Sequence, residues 1–365
     1  MINNREKVKL GGVLELKYGK PLMGVDRNPN GSNPVYGANG ILAWTNKFLL
    51  EGENIIVGRK GSAGEINRIS GKCWPSDVTY YVSKKEDLVM GYIYYLLKSL
   101  NLPKLAKGVK PGLNRNDVYR ISVSIPEHSE QRKIVKKLDQ ASLLIEKRKE
   151  SIKLLDEYIK LFFLDMFGNP ESNSKGFPIF KLGEKLELIT YGLTIRPKYL
   201  NEGIPLISAK EIRSGEINYS LASKISQSDF QKLSEKAKPT IGDILFSKTG
   251  SIGHCAIVLS SKDFAITQNA ARLKFNKEIN PFYALYYLRT SFIQNLSQSS
   301  AKGNAVKDLQ LGVMKQFKFI VPPIELQDRF SKLVKKERAL QGQMFEQLKE
   351  LEMQLLILYQ SIFKY

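Results

Sequence analysis

Apolar residues recur at Ile134, Leu138, Ala141, Ile145, Ile152, Leu155, Ile159, Phe162 and Met166, in steps that alternate between four and three, with one polar break at Arg148. This spacing lays a single apolar seam along a helix that seeks a helical partner. It predicts a helix from Glu127 to Phe167, about 60 Å long at the α-helical rise, with Pro126 at its start and Gly168 and Pro170 past its end. The spacing returns at Phe330, Val334, Met344, Leu348, Leu351, Leu355, Leu358 and Ile362, broken by Glu337 and Gln341. A second helix is therefore predicted from Pro323 to the C-terminus. Matching seams make each helix the expected antiparallel partner of the other; the alternative is that each packs only on its own globular domain.

Outside these rods the pattern changes to short runs. Thr79 to Val82 and Phe317 to Val321 read as strands, and Tyr92 to Leu100 and Phe282 to Leu296 as helices. The layout is globular (1–125), helical (126–168), polar linker (169–177), globular (178–322) and helical (323–365). Much of it is said twice. Lys9-Leu10-Gly11 returns at Lys181-Leu182-Gly183, the loop Gly58-Arg59-Lys60-Gly61-Ser62-Ala63-Gly64 at Ser247-Lys248-Thr249-Gly250-Ser251-Ile252-Gly253, and Ile125-Pro126 with Glu130-Gln131 at Val321-Pro322 with Leu326-Gln327. The widening offset between copies is that of a duplicated unit with small insertions in the second copy. The fold class expected is α/β (α+β): two mixed domains separated by two long antiparallel coiled-coil helices, related as a pseudo-two-fold internal repeat.

Charge sharpens this picture. The formal net charge is +20, from 56 Lys and Arg against 36 Asp and Glu, and residues 1–170 hold half of each, so the basic excess belongs to the repeated unit. Such an excess points to a polyanion, and two like-built halves suit duplex DNA. Cys73 and Cys255 sit at unmatched positions without metal-ligand spacing, which points to free thiols in a reducing compartment. With no signal-peptide core and no apolar run near the ~20 residues of a membrane span, the expectation is a soluble, cytoplasmic protein with no membrane partner.

The Gly58-Arg59-Lys60-Gly61-Ser62-Ala63-Gly64 loop, then Pro111-Gly112-Leu113-Asn114-Arg115-Asn116-Asp117, then Pro126 ahead of Glu130-Gln131 and a heptad helix, all within a duplicated chain, resemble the specificity subunit of type I restriction–modification systems. The resemblance covers essentially the whole chain. It implies two target-recognition domains that each read half of a bipartite, asymmetric DNA site, and helices that set the gap and dock two methyltransferase subunits. It also implies a restriction/translocase subunit in the larger assembly, and adenine as the modified base. In the second copy Lys302-Gly303-Asn304-Ala305-Val306-Lys307-Asp308-Leu309 replaces the Pro-Gly-Leu-Asn run, which puts residue-by-residue transfer between the halves in doubt.

Two loops are the DNA-contact candidates. The Gly-Ser loop offers Arg59, Lys60, Ser62, Lys248, Thr249 and Ser251; the second segment offers Lys104, Lys107, Lys110, Asn114 and Arg115, with Lys302, Asn304 and Lys307 in the other copy. Ordinary turns with solvated lysines remain the alternative. Trp44 and Trp74 could stack or wedge against bases, although a lone Trp in such a domain is more often in the core. His128 and His254 show no ligand spacing, and Asp243 ahead of Lys248 reads as a capped turn more readily than a nuclease carboxylate. No catalytic set, metal site or cofactor is expected. The rivals are a helical adaptor that touches DNA nonspecifically and a DNA-modifying enzyme.

Overall fold

The computed structural model describes residues 7–304 and 306–363. The chain divides into two compact units, Met1–Glu150 with Phe345–Tyr365 and Ser151–Met344. Both long helices are present, His128–Phe167 and Ile324–Ile362, and each contributes one half to either unit. Gly168, at φ 75°, ends the first with its N–H on the Leu164 carbonyl at 2.8 Å, a left-handed C-terminal stop.

The two units repeat one topology. In the first, an antiparallel sheet orders Leu14–Tyr18, Thr79–Lys84, Asn54–Gly58 and Ile66–Ile69; a second sheet orders Gly40–Thr45, Asn33–Gly37 and Trp74–Pro75; Lys7–Lys9 pairs with Ser122–Ser124. In the second, the matching orders are Leu186–Tyr191, Ala270–Phe275, Ile244–Ser247 and Cys255–Ile257, then Ser223–Ile225, Ile204–Ile207 and Ala265–Ile266, with Ile179–Lys181 on Lys318–Ile320. The central strands are buried on both faces and read as apolar runs, Ile55-Ile56-Val57 and Ile244-Leu245-Phe246.

The helix Met90–Ser99 matches its sequence reading, but the predicted helix over 282–296 is two, Pro281–Leu288 and Ser291–Ser300. Thr290 is extended (ψ 148°) and breaks the run, and the Gln294 amide donates to the freed Leu288 carbonyl at 2.7 Å. Periodicity alone reads through such a break, since Phe292, Ile293 and Leu296 continue the apolar spacing of the first piece.

Each unit packs halves of both long helices against its own domain. In the second unit Ile159, Phe163 and Phe167 of the first helix join Phe330 and Val334 of the second in one core with Tyr283 and Phe319. In the first unit Ile134 and Leu138 join Leu355, Leu358 and Phe363 around Tyr92 and Leu96. Within the first unit Lys149 pairs with Glu352 at 2.7 Å, while the earlier Ile134 and Leu138 share a core with the later Leu358 and Ile362, so the helices run antiparallel there. Ile145, Ile152 and Met344 are buried between the ends; Leu155, Leu348 and Leu351 are half-buried. The seam thus serves both alternatives, pairing helices and entering the domain cores. Near the end of the first helix the most buried residues are Phe163 and Phe167, one position beyond the predicted Phe162 and Met166, because a 3.6-residue helix drifts against a strict heptad.

The repeated Glu130-Gln131 and Leu326-Gln327 acquire a physical role here. Gln131 and Gln327 are almost fully buried. The Gln131 amide donates to Pro126 O (2.9 Å) and accepts from Val89 N–H (2.9 Å); Gln327 donates to Pro322 O (2.8 Å) and accepts from Asn280 N–H (2.8 Å). Val89 and Asn280 are the residues that open the helices Met90–Ser99 and Pro281–Leu288. One buried amide therefore ties the start of each long helix to the start of a domain helix, satisfying groups that would otherwise be costly to bury.

Candidate nucleic-acid interface

The Gly-Ser loop links the hairpin strands Asn54–Gly58 and Ile66–Ile69, and its copy links Ile244–Ser247 and Cys255–Ile257. Gly64 (φ 87°) and Gly253 (φ 107°) are required at the return. An added Cβ would lie 2.4 Å from the Pro103 nitrogen in one case and 2.2 Å from Gln294 Oε1 in the other. The second candidate segment folds back onto the loop in both units. Gly61 N–H donates to Pro111 O and Leu113 N–H to Arg59 O; correspondingly Gly250 N–H donates to Lys307 O and Leu309 N–H to Lys248 O. The divergent second-copy run therefore keeps the backbone contacts of the first, with Asp308 at the place of Gly112. Ala305 lies outside the described residues.

What differs is which side chains stay free. In the first unit Lys60, Ser62 and Lys110 are exposed and without side-chain partners among the described residues. Arg59 and Arg115 are half-buried and lie over the same Tyr18 ring, at 5.3 and 4.9 Å. Arg59 also donates to Asp77 O and Arg115 to Leu16 O. Lys107 pairs with Asp117 at 3.2 Å but stays largely exposed, and the Asn114 side chain caps the short helix Arg115–Tyr119 by accepting from Asn116 N–H.

In the second unit Lys302, Asn304 and Lys307 are exposed. Lys248 is not: it is 9% exposed and donates to Asp308, as does Thr249. Partial burial opposes ionisation of Asp308, but the hydrogen bonds from Lys248 and Thr249 outweigh it and hold the carboxyl below its usual range. A depressed carboxylate contributes stability above its unfolded pKa and loses it as the pH falls through the folded one. Lys248 and Thr249 thus pin the two loops together through Asp308. Ser251 is half-buried and accepts from Arg213 at 2.9 Å. Lys60→Ala should weaken DNA binding and lower the slope of log affinity against log salt by about 0.9, one phosphate's share. Lys248→Ala should instead destabilise the second unit by about 1 kcal/mol, since Asp308 is partly solvated, and leave that slope unchanged. Titrations across salt together with urea unfolding separate the two; equal slope losses for both variants would contradict the assignment.

The tryptophans depart from the core expectation. Trp44 is 40% exposed on an edge strand with one neighbour, and Trp74 is half-buried with its indole N–H on Lys20 O at 2.9 Å. Asp243 is buried, accepts from Thr240 N–H at 2.6 Å and pairs with Arg272 at 2.7 Å, a capped turn with an added buried cation. His128 lies 4.0 Å from Asp87. Burial, with Arg213 nearby, pushes the His254 pKa down. Among the described residues no three His, Cys, Asp or Glu side chains gather as a metal site.

Sequence reading missed a polar cleft of about 400 Å³ in the second unit, lined by Arg196, Tyr199, Ser208, Lys210, Gln268 and Asn269. It continues past Gln268 and Asn269 toward Tyr191 and Gln310. Its residues come from three separate loops, and none forms a local motif.

A duplicated mixed α/β domain with a shared pair of long helices, and matched cationic loops in each copy, is the architecture of a DNA specificity protein. The family model for the type I restriction modification DNA specificity domain matches this chain twice, over residues 3–154 and 175–352. The chain belongs to that family. A specificity-subunit sequence of Haemophilus influenzae, S.HindORF215P, is 25% identical over 87% of this chain and 83% of its own length. The crystal structure of the type I restriction-modification S subunit from M. genitalium shares the fold with a TM-score of 0.63, at 18% identity, covering 100% of this chain and 98% of that one. A chain from a structure of type I R-M complex assembly and conformational transition aligns with a TM-score of 0.52 at 17% identity, over 97% and 96% of the two chains.

Proposed function

We propose that this chain is the non-catalytic DNA-reading subunit of a type I restriction–modification complex. Each domain reads one half of a bipartite, asymmetric site in double-stranded DNA. The long helices, each of which runs from one unit into the other, set the gap between half-sites. One observation carries this reading: the same backbone scaffold of two interlocked loops is built twice, while the side chains left free on it differ. A scaffold copied with changed side chains suits two different base sequences; a purely structural duplication has no need of the change.

Partners follow from the helix surfaces. In the second unit Leu154, Tyr158, Leu161 and Leu164 are exposed on the first helix, and in the first unit Phe345, Met353, Leu356 and Ile357 are exposed on the second. Apolar residues grouped on an exposed helix face suit docking surfaces, here for two methyltransferase subunits, with restriction/translocase subunits joining the full assembly. The chain itself supplies no catalysis and takes no cofactor, and the complex acts in the cytoplasm. No helix among the described residues is long and apolar enough to cross a membrane.

The test is a domain exchange followed by methylation mapping. Replacing residues 1–125 with those of a relative should change one half of the modified motif and leave the other intact. A change in both halves, or in neither, would refute domain-wise reading.

A further inference from the structure

A third loop approaches the same face in each unit, and its backbone is the same in both. In the first unit Thr79 N–H donates to Ser76 O (3.0 Å) and Arg59 N–H to Val78 O (2.9 Å). In the second Ala270 N–H donates to Thr267 O (3.2 Å) and Lys248 N–H to Asn269 O (3.0 Å). Those bonds align Asp77-Val78 with Gln268-Asn269. Both of these backbone anchors are kept and both side chains are changed.

The side chains also lack internal work. Among the described residues, the carboxylate of Asp77 and the amides of Gln268 and Asn269 have no hydrogen-bond or ionic partner, although Asp77 and Gln268 are exposed and Asn269 is only half-buried. Gln268 and Asn269 share their cleft with Arg196 and Lys210, two exposed cations that also lack partners. A cleft lined by free cations and free amides suits a duplex whose phosphates meet the cations and whose base edges meet the amides. Asp77 sits beside the free cation Lys60 and the loop it belongs to.

We propose that Gln268 and Asn269 select adenine in one half-site and that Asp77 selects cytosine in the other, an assignment that rests on the reading of the chain as a two-domain DNA reader. A carboxamide presents a donor and an acceptor side by side, which match the N7 acceptor and N6 amino group of adenine in the major groove. A carboxylate only accepts, so next to DNA it is repelled by phosphates and by guanine's acceptors and is satisfied by the cytosine N4 amino group. The rigid backbone holds these groups in fixed register, which discrimination between bases requires.

The experiment is selection from duplexes randomised in both half-sites, using the full chain assembled with its methyltransferase subunits. Gln268→Asp should shift one or two positions of a single half-site from adenine toward cytosine, by roughly 5- to 150-fold. Asp77→Asn should relax a cytosine in the other half-site and leave the first untouched. Gln268→Ala, which adds no charge, should relax the same positions that Gln268→Asp redirects and serves as the readout if the aspartate variant loses all binding. An unaltered motif in Gln268→Ala and Asp77→Asn would overturn the assignment while leaving domain-wise reading in place. If the unsubstituted assembly selects no motif at all, the reading of the domains falls, and the assignment with it.

Discussion

Phe330→Ala should lower the stability of the second unit by about 3–5 kcal/mol, the range for a large aromatic removed from a packed core. Phe330 is fully buried and meets three rings edge-on: Phe163 at 5.4 Å, Phe167 at 5.5 Å and Tyr286 at 5.2 Å. Two of those rings belong to the other long helix and one to the domain, so a single side chain joins all three bodies of the unit. The space left by truncation is walled by rigid aromatics that cannot collapse into it, which places the cost high in the range. Phe330→Leu refills most of the volume and should cost markedly less. Urea unfolding followed by far-UV circular dichroism reads both variants; a loss below about 1 kcal/mol for alanine would show that the helices are held elsewhere.

Arg272→Leu is expected to be comparably severe, about 3–5 kcal/mol, because it strands a buried carboxylate. Asp243 is 1% exposed, and Arg272 donates to it at 2.7 Å. The same guanidinium donates to the carbonyls of Glu235 and Lys238, both at 2.7 Å, so its removal orphans two backbone acceptors as well. The double variant Asp243→Asn with Arg272→Leu removes the unpaired charge and should recover part of the loss. Thermal unfolding of the three variants gives the coupling directly. A double variant as unstable as the sum of the singles would mean that the two residues do not act as a pair.

Much of this fold is legible in the chain. Heptad spacing placed both long helices within a residue of their observed starts, since a seam that must stay apolar over about forty residues leaves little freedom of phase. The recurrence of Gly-Ser loops and of buried-strand runs announced two copies of one domain. Less legible was the fate of individual polar side chains. Gln131 and Gln327 stood out as repeated letters, yet their function as buried amide links depends on the starts of two other helices, 42 and 47 positions away. The break at Thr290 was hidden because the apolar spacing resumes at Phe292, Ile293 and Leu296 beyond it.

The candidate site divides the same way. Lys60 and Lys248 both belong to the repeated loop, but Lys248 stands at the place of Arg59, which also turns inward, onto Asp77 O and the Tyr18 ring. Asp308, 60 positions from Lys248, makes one of them a buried strut, while Lys60 keeps its charge in solvent.

By itself the sequence determined the period of the helices, the duplication, the excess of positive charge in each half and the family. These are properties of pattern and composition, carried by many residues at once and insensitive to any single neighbour. The tertiary structure alone decided which cations remain free, that a diverged loop keeps its predecessor's backbone, and that Asp77 stands where Gln268 stands in the other copy. Each of those depends on a few hydrogen bonds between segments far apart in the chain, and their geometry exists only once the cores have closed.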